Sequence, residues 1–223
     1  MDIAGEARRP KAIVYVDGLN LYRRSLHTKD EFKWLDIVKL CELLIPNHEI
    51  VLVRYFTARV KPSISGEAGM ARQLIYLRAL RTHGERLTIH EGRMRIDPRV
   101  YPLHPRTTDE FGEVATTKVQ KVEEKGSDVA LASFMVFDAA KSDVDLHVLL
   151  SNDSDFIPTL QIVSEELNKP IAWITPSATG SKELASQNFA FVREVRPWSL
   201  KNAQFPDYLT DNAGKFHKPE KWS

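Results

Sequence analysis

Short apolar runs separated by helical stretches constrain the fold of this chain more than any other sequence feature. Runs rich in β-branched residues predict strands, and apolar residues that recur every three or four positions between them predict helices. The predicted strands are KAIVYV, EIVLVRYFTA, LTIHEGRMRI, DLHVLL, KPIAWIT and FVREV. Strands alternating with helices in this way indicate a three-layer α/β fold, with a mostly parallel central sheet and helices on both faces.

The length of 223 residues fits one α/β domain with additions, which we place at residues 11–200. The segment 97–113 contains three prolines and no clear period, so we predict an irregular insertion there. Residues 201–223 are mostly polar and are interrupted by prolines, which predicts a flexible C-terminal tail.

Composition and spacing exclude several classes of protein. Cys41 is the sole cysteine, so an internal disulfide is excluded, which suits the cytoplasmic location that we predict. No apolar run approaches the ~20 residues of a membrane span, so we predict no membrane partner. The seven histidines lack zinc-site spacing, and neither the phosphate-binding nor the dinucleotide-binding glycine motif is present.

Aspartates directly follow two of the predicted strands. Asp17 follows KAIVYV, and Asp153 and Asp155 follow DLHVLL. Ligands of such sheets bind outside the carboxyl ends of the strands, where these carboxylates would meet Asn20 if the two strands are neighbours. Two carboxylates about 4 Å apart repel by roughly 4 kcal/mol at an effective dielectric constant near 20. A bound cation, or a role in capping helices, would offset that repulsion.

Opposite charges are concentrated in two adjoining segments. Residues 54–106 hold eleven Lys and Arg against four Asp and Glu, whereas residues 107–170 hold five against thirteen. Two solvated faces would explain this distribution, and so would an acidic metal site beside a basic surface that binds a phosphate backbone.

Three motifs, VYVDGLNLY, EEKGSDVALASFMVFDA and LLSNDSDFIPTL, occur in this order along the chain. Together they resemble the NYN domain family, a branch of the PIN-like nucleases, and most closely its bacterial LabA-like group. The resemblance covers about residues 11–198 and implies a Rossmannoid, PIN-like fold with metal-dependent endoribonuclease activity. Asn152 departs from the family pattern, which often has glycine there, and this small change is not expected to remove a ligand.

The resemblance also assigns roles to individual residues. It implies catalytic and metal-binding roles for Asp17, Asp128, Asp153 and Asp155. Hard cations prefer oxygen ligands, and metals held by carboxylates activate water for phosphodiester hydrolysis, so we predict Mg²⁺ or Mn²⁺ as the cofactor. Asn20 and Ser151 are predicted to support the site, and RNA phosphates are predicted to bind Lys125, Arg54, Arg72 and Arg93.

Alternatives remain open for the residues and for the function. Asp17 could close a turn with Gly18, Asp128 and Asp155 could cap helices, and exposed charge is the simpler interpretation for Glu124. The whole domain could be a non-catalytic module that binds RNA or a protein partner. A phosphatase of the haloacid dehalogenase type is a weaker alternative. RNA is the expected partner, and a homodimer is left open.

Overall fold

The computed structural model of the protein describes residues 8–222, which form a seven-stranded sheet and a separate hairpin. The strands of the sheet are β1 Lys11–Asp17, β2 Glu49–Ala58, β3 Leu87–Pro102, β4 Thr116–Lys125, β5 Leu146–Leu150, β6 Ile171–Thr175 and β7 Val192–Glu194. Their spatial order is β4-β3-β2-β1-β5-β6-β7, and every neighbouring pair is parallel except β3 with β4. The predicted mostly parallel sheet is therefore confirmed.

Helices cover both faces of the sheet. They are α1 Gly18–Leu21, α2 Ile37–Leu44, α3 Pro62–Arg81, α4 Ser127–Lys141, α5 Ile157–Gln161, α6 Lys182–Ala185 and α7 Pro197–Asn202. Buried side chains of α2, α3 and α7 form one core layer, and those of α4, α5 and α6 form the other. This arrangement confirms the three-layer Rossmannoid fold. Across residues 8–222, no helix combines the length and apolar character needed to cross a bilayer.

Strand β1 shows why its sequence is apolar at successive positions. Val14 and Val16 pack in the α2–α3 layer, while Ile13 and Tyr15 pack in the α4–α5 layer. Side chains alternate across a strand, so a strand that is covered on both faces must be apolar throughout. Its first polar side chain at the carboxyl end is Asp17, which the strand therefore delivers to the edge of the sheet.

The insertion predicted at residues 97–113 is irregular in the structure only from residue 103, because residues 97–102 belong to β3. Strand β3 continues to Pro102 and pairs antiparallel with β4 over ten residue pairs, so the two strands form an arm. Pairing with a segment that lies further along the chain satisfies the backbone of residues 97–102. That tertiary pairing overrides the local proline signal, as it does on the edges of sheets.

The segment predicted to be a flexible tail is also different. Residues 208–211 and 214–217 form a hairpin, β8 Tyr208–Asp211 with β9 Gly214–His217. Phe205, Phe216 and Trp222 are buried in the main core, although they are too widely spaced to give a periodic pattern. The folded core therefore extends beyond the predicted domain end at residue 200, and Ser223 lies outside the described residues.

Candidate active site

Asp17 and Ser151 meet at the carboxyl edge of the sheet because their strands are neighbours. Strands β1 and β5 are parallel and adjacent, with Val16 opposite Leu150, so the condition on which the predicted site depended is met. The Ser151 hydroxyl donates to Asp17 Oδ2 at 2.9 Å, and the Asn20 backbone N–H donates to Asp17 Oδ1 at 2.9 Å. Both carboxylate oxygens of Asp17 are thus fixed, and Asp17 also caps α1.

Asn152, which stands where the family often has glycine, holds three segments of the site together. Its backbone N–H donates to Asn20 Oδ1 at 3.1 Å. Its side-chain amide donates to the Thr179 carbonyl oxygen and accepts from the Ser181 N–H, each at 2.7 Å. The loop after β5 is therefore tied to α1 and to the loop after β6. These bonds do not use the carboxylates of Asp153 and Asp155 in the same loop.

Asp153 lies at the start of a helical turn, Ser154–Phe156. Its carboxylate accepts from the Asp155 backbone N–H at 3.0 Å, and its own N–H donates to the Ser151 hydroxyl oxygen at 3.1 Å. The capping role that the sequence offered to Asp155 thus belongs to Asp153. A cap occupies one lone pair of a carboxylate, so it does not prevent Asp153 from binding a cation.

Glu124, rather than Asp128, caps α4. The Glu124 carboxylate accepts from the Ser127 backbone N–H at 3.0 Å and from the Ser127 hydroxyl. Gly126 precedes the helix with φ of 101°, a left-handed conformation that favours glycine. Asp128 in the first turn makes no capping bond and remains free to face the site. Glu124 is the neighbour that sequence reasoning undervalued, because its role depends on how β4 meets α4.

Five carboxylates share one electrostatic environment, and we call them the acidic cluster: Asp17, Glu124, Asp128, Asp153 and Asp155. Burial raises the pKa of Asp17 to about 6, against its two hydrogen bonds, and the charges of Asp128 and Asp153 add to the increase. Partial burial also raises the pKa of Asp128, and the charges of Glu124, Asp153 and Asp155 contribute. The four aspartates named from the sequence are thus electrostatic neighbours.

The cluster suits a hard cation that keeps much of its water. Within residues 8–222, no three Asp, Glu, His or Cys side chains form a ready-made metal cage. Mg²⁺ usually binds proteins through one or two carboxylates and several waters, so a complete cage is not required. The donors are all oxygens, and Asp17 is a buried carboxylate whose ionised form a cation would favour.

Comparison with known proteins identifies the family of this chain. A family model described as the NYN domain matches residues 11–193. The chain belongs to the NYN domain family. Placement in the PIN-like superfamily fits this match.

Two similar proteins add different kinds of information about this NYN domain. The 6-hydroxy-3-succinoylpyridine 3-monooxygenase HspA of Pseudomonas putida is 28% identical over 234 aligned positions, which cover 94% of this chain and 74% of the relative. A crystal structure of a protein of unknown function from Vibrio parahaemolyticus has a TM-score of 0.51 at 14% identity. It covers 92% of this chain and 100% of its own, and the likeness concerns the fold alone.

Arg54 is largely buried in this NYN domain, so it lacks the exposed position that its predicted RNA-binding role requires. Its guanidinium donates to both Asp138 carboxylate oxygens at 2.6 and 2.8 Å and lies 4.5 Å from the centre of the Phe134 ring. The side chain is only 14% exposed. Residue 54 lies on the face of β2 that α4 covers, so Arg54 stabilises the interior instead.

The other predicted RNA-binding residues lie on two different elements, the arm and α3. Arg93 and Lys125 are exposed and opposite each other at the base of the arm, next to Glu124. Lys125 also pairs with Glu123 at 3.2 Å. Arg72 lies on α3 and lines a pocket beside α1. Their contacts with RNA remain predictions.

A pocket of about 580 Å³ opens between α1 and α3, and Arg72 is part of its wall. We call it the α1–α3 pocket. Its lining includes Gly18, the residue directly after Asp17, and Tyr55 beneath it. A methyl group on Gly18 would lie 2.7 Å from the Tyr55 hydroxyl oxygen, so only glycine allows α1 to approach this closely. The pocket and the acidic cluster therefore share one stretch of backbone.

Proposed function

We propose that this NYN domain protein is a metal-dependent ribonuclease that hydrolyses phosphodiester bonds of RNA. The observation that carries the proposal is the burial of Asp17 within the field of Asp128 and Asp153, at the carboxyl edge of two adjacent parallel strands. If residue 17 served only the stability of the fold, asparagine could make similar hydrogen bonds without the repulsion from neighbouring carboxylates. The nuclease-type fold of the family supports the same conclusion.

The residues of the site would have three roles: holding the metal, positioning Asp17 and binding phosphate. Asp17, Asp128, Asp153 and Asp155 would hold Mg²⁺ or Mn²⁺, while Asn20 and Ser151 keep the Asp17 carboxylate in place. When bound, such a cation supplies positive charge against the phosphate and makes water more acidic. Arg93 and Lys125 would bind phosphates of the RNA backbone beside the acidic cluster.

Replacing Asp153 with asparagine tests this proposal. The Asp153→Asn amide oxygen can still accept the Asp155 N–H, so the fold should persist while a ligand charge is lost. We expect RNA cleavage to fall at least about a hundredfold. Asp145→Asn is the matched control, since Asp145 accepts the Lys11 N–H at the opposite edge of the same strands. Cleavage of a mixed RNA pool with Mg²⁺ or Mn²⁺, and with EDTA, is the measurement.

The same experiment separates catalysis from binding. A folded Asp153→Asn protein with full activity would contradict the assignment of the active site. Cleavage that persists in EDTA would contradict the proposed metal dependence. RNA binding without cleavage in the wild-type protein would instead support a non-catalytic module.

A second candidate function is oxidation of a small aromatic acid, and a specific pair of observations favours it. The relative from Pseudomonas putida is named as a monooxygenase, and the α1–α3 pocket combines aromatic and cationic side chains. Incubating the protein with 6-hydroxy-3-succinoylpyridine, a reduced nicotinamide cofactor and air tests it. Consumption of the compound, followed by mass spectrometry, would establish this activity.

A further inference from the structure

The floor of the α1–α3 pocket is a rigid aromatic surface. Tyr55, Tyr76 and Trp222 line it and are only 6%, 8% and 8% exposed. The Tyr76 ring lies 6.5 Å from that of Tyr55 and 6.2 Å from that of Trp222, measured between centres. The Tyr76 hydroxyl donates to the Leu35 carbonyl oxygen at 2.9 Å, which fixes the ring. The rings of both pairs meet edge to face, at 81°, so they form a fixed apolar wall against which a planar ligand can pack.

Cations surround the mouth of the pocket. Lys33, Arg72 and Lys221 all contribute to its lining, against one acidic side chain, Asp30. Lys33 forms an ion pair with Asp30. Over residues 8–222, neither Arg72 nor Lys221 has an acidic partner within ion-pair distance. Two positive charges are thus left for an anion.

The remaining wall offers an accessible aromatic face. Tyr22 is 38% exposed, and Lys33 Nζ lies 5.5 Å from the centre of its ring. The volume of about 580 Å³ falls within the ~300–1,000 Å³ of typical ligand sites. A planar ring that carries an anionic group would satisfy both the aromatic and the cationic parts of this lining.

We propose that the α1–α3 pocket binds one nucleotide of the RNA substrate, with its base against the aromatic rings and its phosphate at Arg72 and Lys221. This inference rests on the proposed ribonuclease function, and it adds a place for the nucleotide beside the cleaved bond. The position supports it, because Gly18 lines the pocket and directly follows Asp17. Stacking on aromatic side chains tolerates every base, so the pocket would hold RNA with little sequence preference.

Binding of nucleoside 5′-monophosphates to the full chain in EDTA tests the pocket without metal or turnover. Calorimetry should show saturable binding, and the tryptophan fluorescence of the protein should change in parallel. Loss of that change in a Trp222→Phe protein would assign the signal to Trp222. Arg72→Ala should weaken binding about tenfold or more, since a charged hydrogen bond is lost. Arg81→Ala is the matched control on the same helix, because Arg81 pairs with Glu91 at 3.1 Å and does not line the pocket.

Four results would overturn the nucleotide site. The first two are the absence of saturable binding and an equal loss of nucleotide affinity in Arg72→Ala and Arg81→Ala. The other two are inorganic phosphate that binds as tightly as nucleotides, and 6-hydroxy-3-succinoylpyridine that binds more tightly than any nucleotide. Asp153→Asn should retain nucleotide binding. Nucleotide binding without RNA cleavage would overturn the proposed function alone, whereas RNA cleavage without nucleotide binding would overturn only the pocket.

Discussion

Asp17 carries most of the electrostatic cost of the acidic cluster. The residue is 6% exposed, and its carboxylate lies within the field of Asp128 and Asp153. Two hydrogen bonds, from Asn20 and Ser151, favour its charged form but do not offset burial, because its pKa still rises from 3.8 to about 6. At neutral pH the metal-free protein therefore holds an ionised carboxylate that burial and neighbouring charges make less stable than an exposed one.

Asp17→Asn should therefore stabilise the metal-free protein, and only at high pH. The raised folded-state pKa means that the stabilisation from protonated Asp17 is complete below about 3.8 and is lost as the pH rises through about 6. In EDTA at pH 8, the variant should gain up to about 3 kcal/mol in free energy of unfolding, and near pH 4 little or nothing. Urea unfolding at both values measures this.

The control for this pH dependence is Asp145→Asn, which changes an exposed aspartate at the opposite edge and should bring no such gain. If Asp17→Asn destabilises the protein equally at both pH values, its hydrogen bonds outweigh its charge. The position of Asp17 would then be structural.

Single residues also show what the sequence could and could not predict. Asp17 and Asp153 were predictable because each directly follows an apolar run that ends at the sheet edge. The role of Arg54 was not, because its partner Asp138 is 84 residues away and becomes a neighbour only when α4 packs on β2. A local charge count cannot distinguish an arginine that faces solvent from one that faces a helix.

At the scale of elements, a close contact of Glu124 links the arm formed by β3 and β4 to the start of α4. Glu124 reaches from β4 to Ser127, and its carboxylate passes over Gly92 on β3. A methyl group on Gly92 would lie 1.9 Å from Glu124 Oε1 and 3.0 Å from the Lys125 carbonyl oxygen. The arm thus helps to set the position of Asp128 in the acidic cluster.

Gly92→Ala should displace the Glu124 carboxylate and remove the cap of α4. We expect a loss of about 0.5–2 kcal/mol in free energy of unfolding, the usual range for a helix cap. Glu124→Ala should cost a similar amount, and the double variant should cost less than the sum, because both changes remove the same cap. Gln120→Ala, on the exposed part of β4, is the control. Strict additivity in urea unfolding would contradict the shared contact.

At the scale of the whole molecule, the C-terminal segment completes the core. The Trp34 ring lies 5.7 Å from that of Phe205 and 6.3 Å from that of Trp222. On the surface, Arg78 pairs with both oxygens of Asp211 at 2.6 and 2.7 Å. The alternation of strands and helices was enough to predict the three layers, whereas these scattered aromatic residues have no period that could predict their packing.

Phe205→Ala therefore distinguishes a packed segment from a flexible one. Phe205 is 6% exposed, so its truncation should lower the free energy of unfolding by about 3–5 kcal/mol. Tyr208→Ala, three residues later and 64% exposed, should change it by about 0.5 kcal/mol or less. Equal effects of the two substitutions in thermal or urea unfolding would show that the segment does not belong to the core.

The contacts of Trp34 also bear on the order in which the protein can be made. Its indole N–H donates to the Pro206 carbonyl oxygen, 172 residues further along the chain, at 2.9 Å. While the ribosome is still synthesising the middle of the chain, Trp34 lacks these C-terminal partners, and part of its aromatic surface remains uncovered. Domains generally fold as units, and exposed apolar surface attracts chaperones in the meantime. We therefore expect the nascent chain to reach its native state only after residue 206 has left the ribosomal exit tunnel.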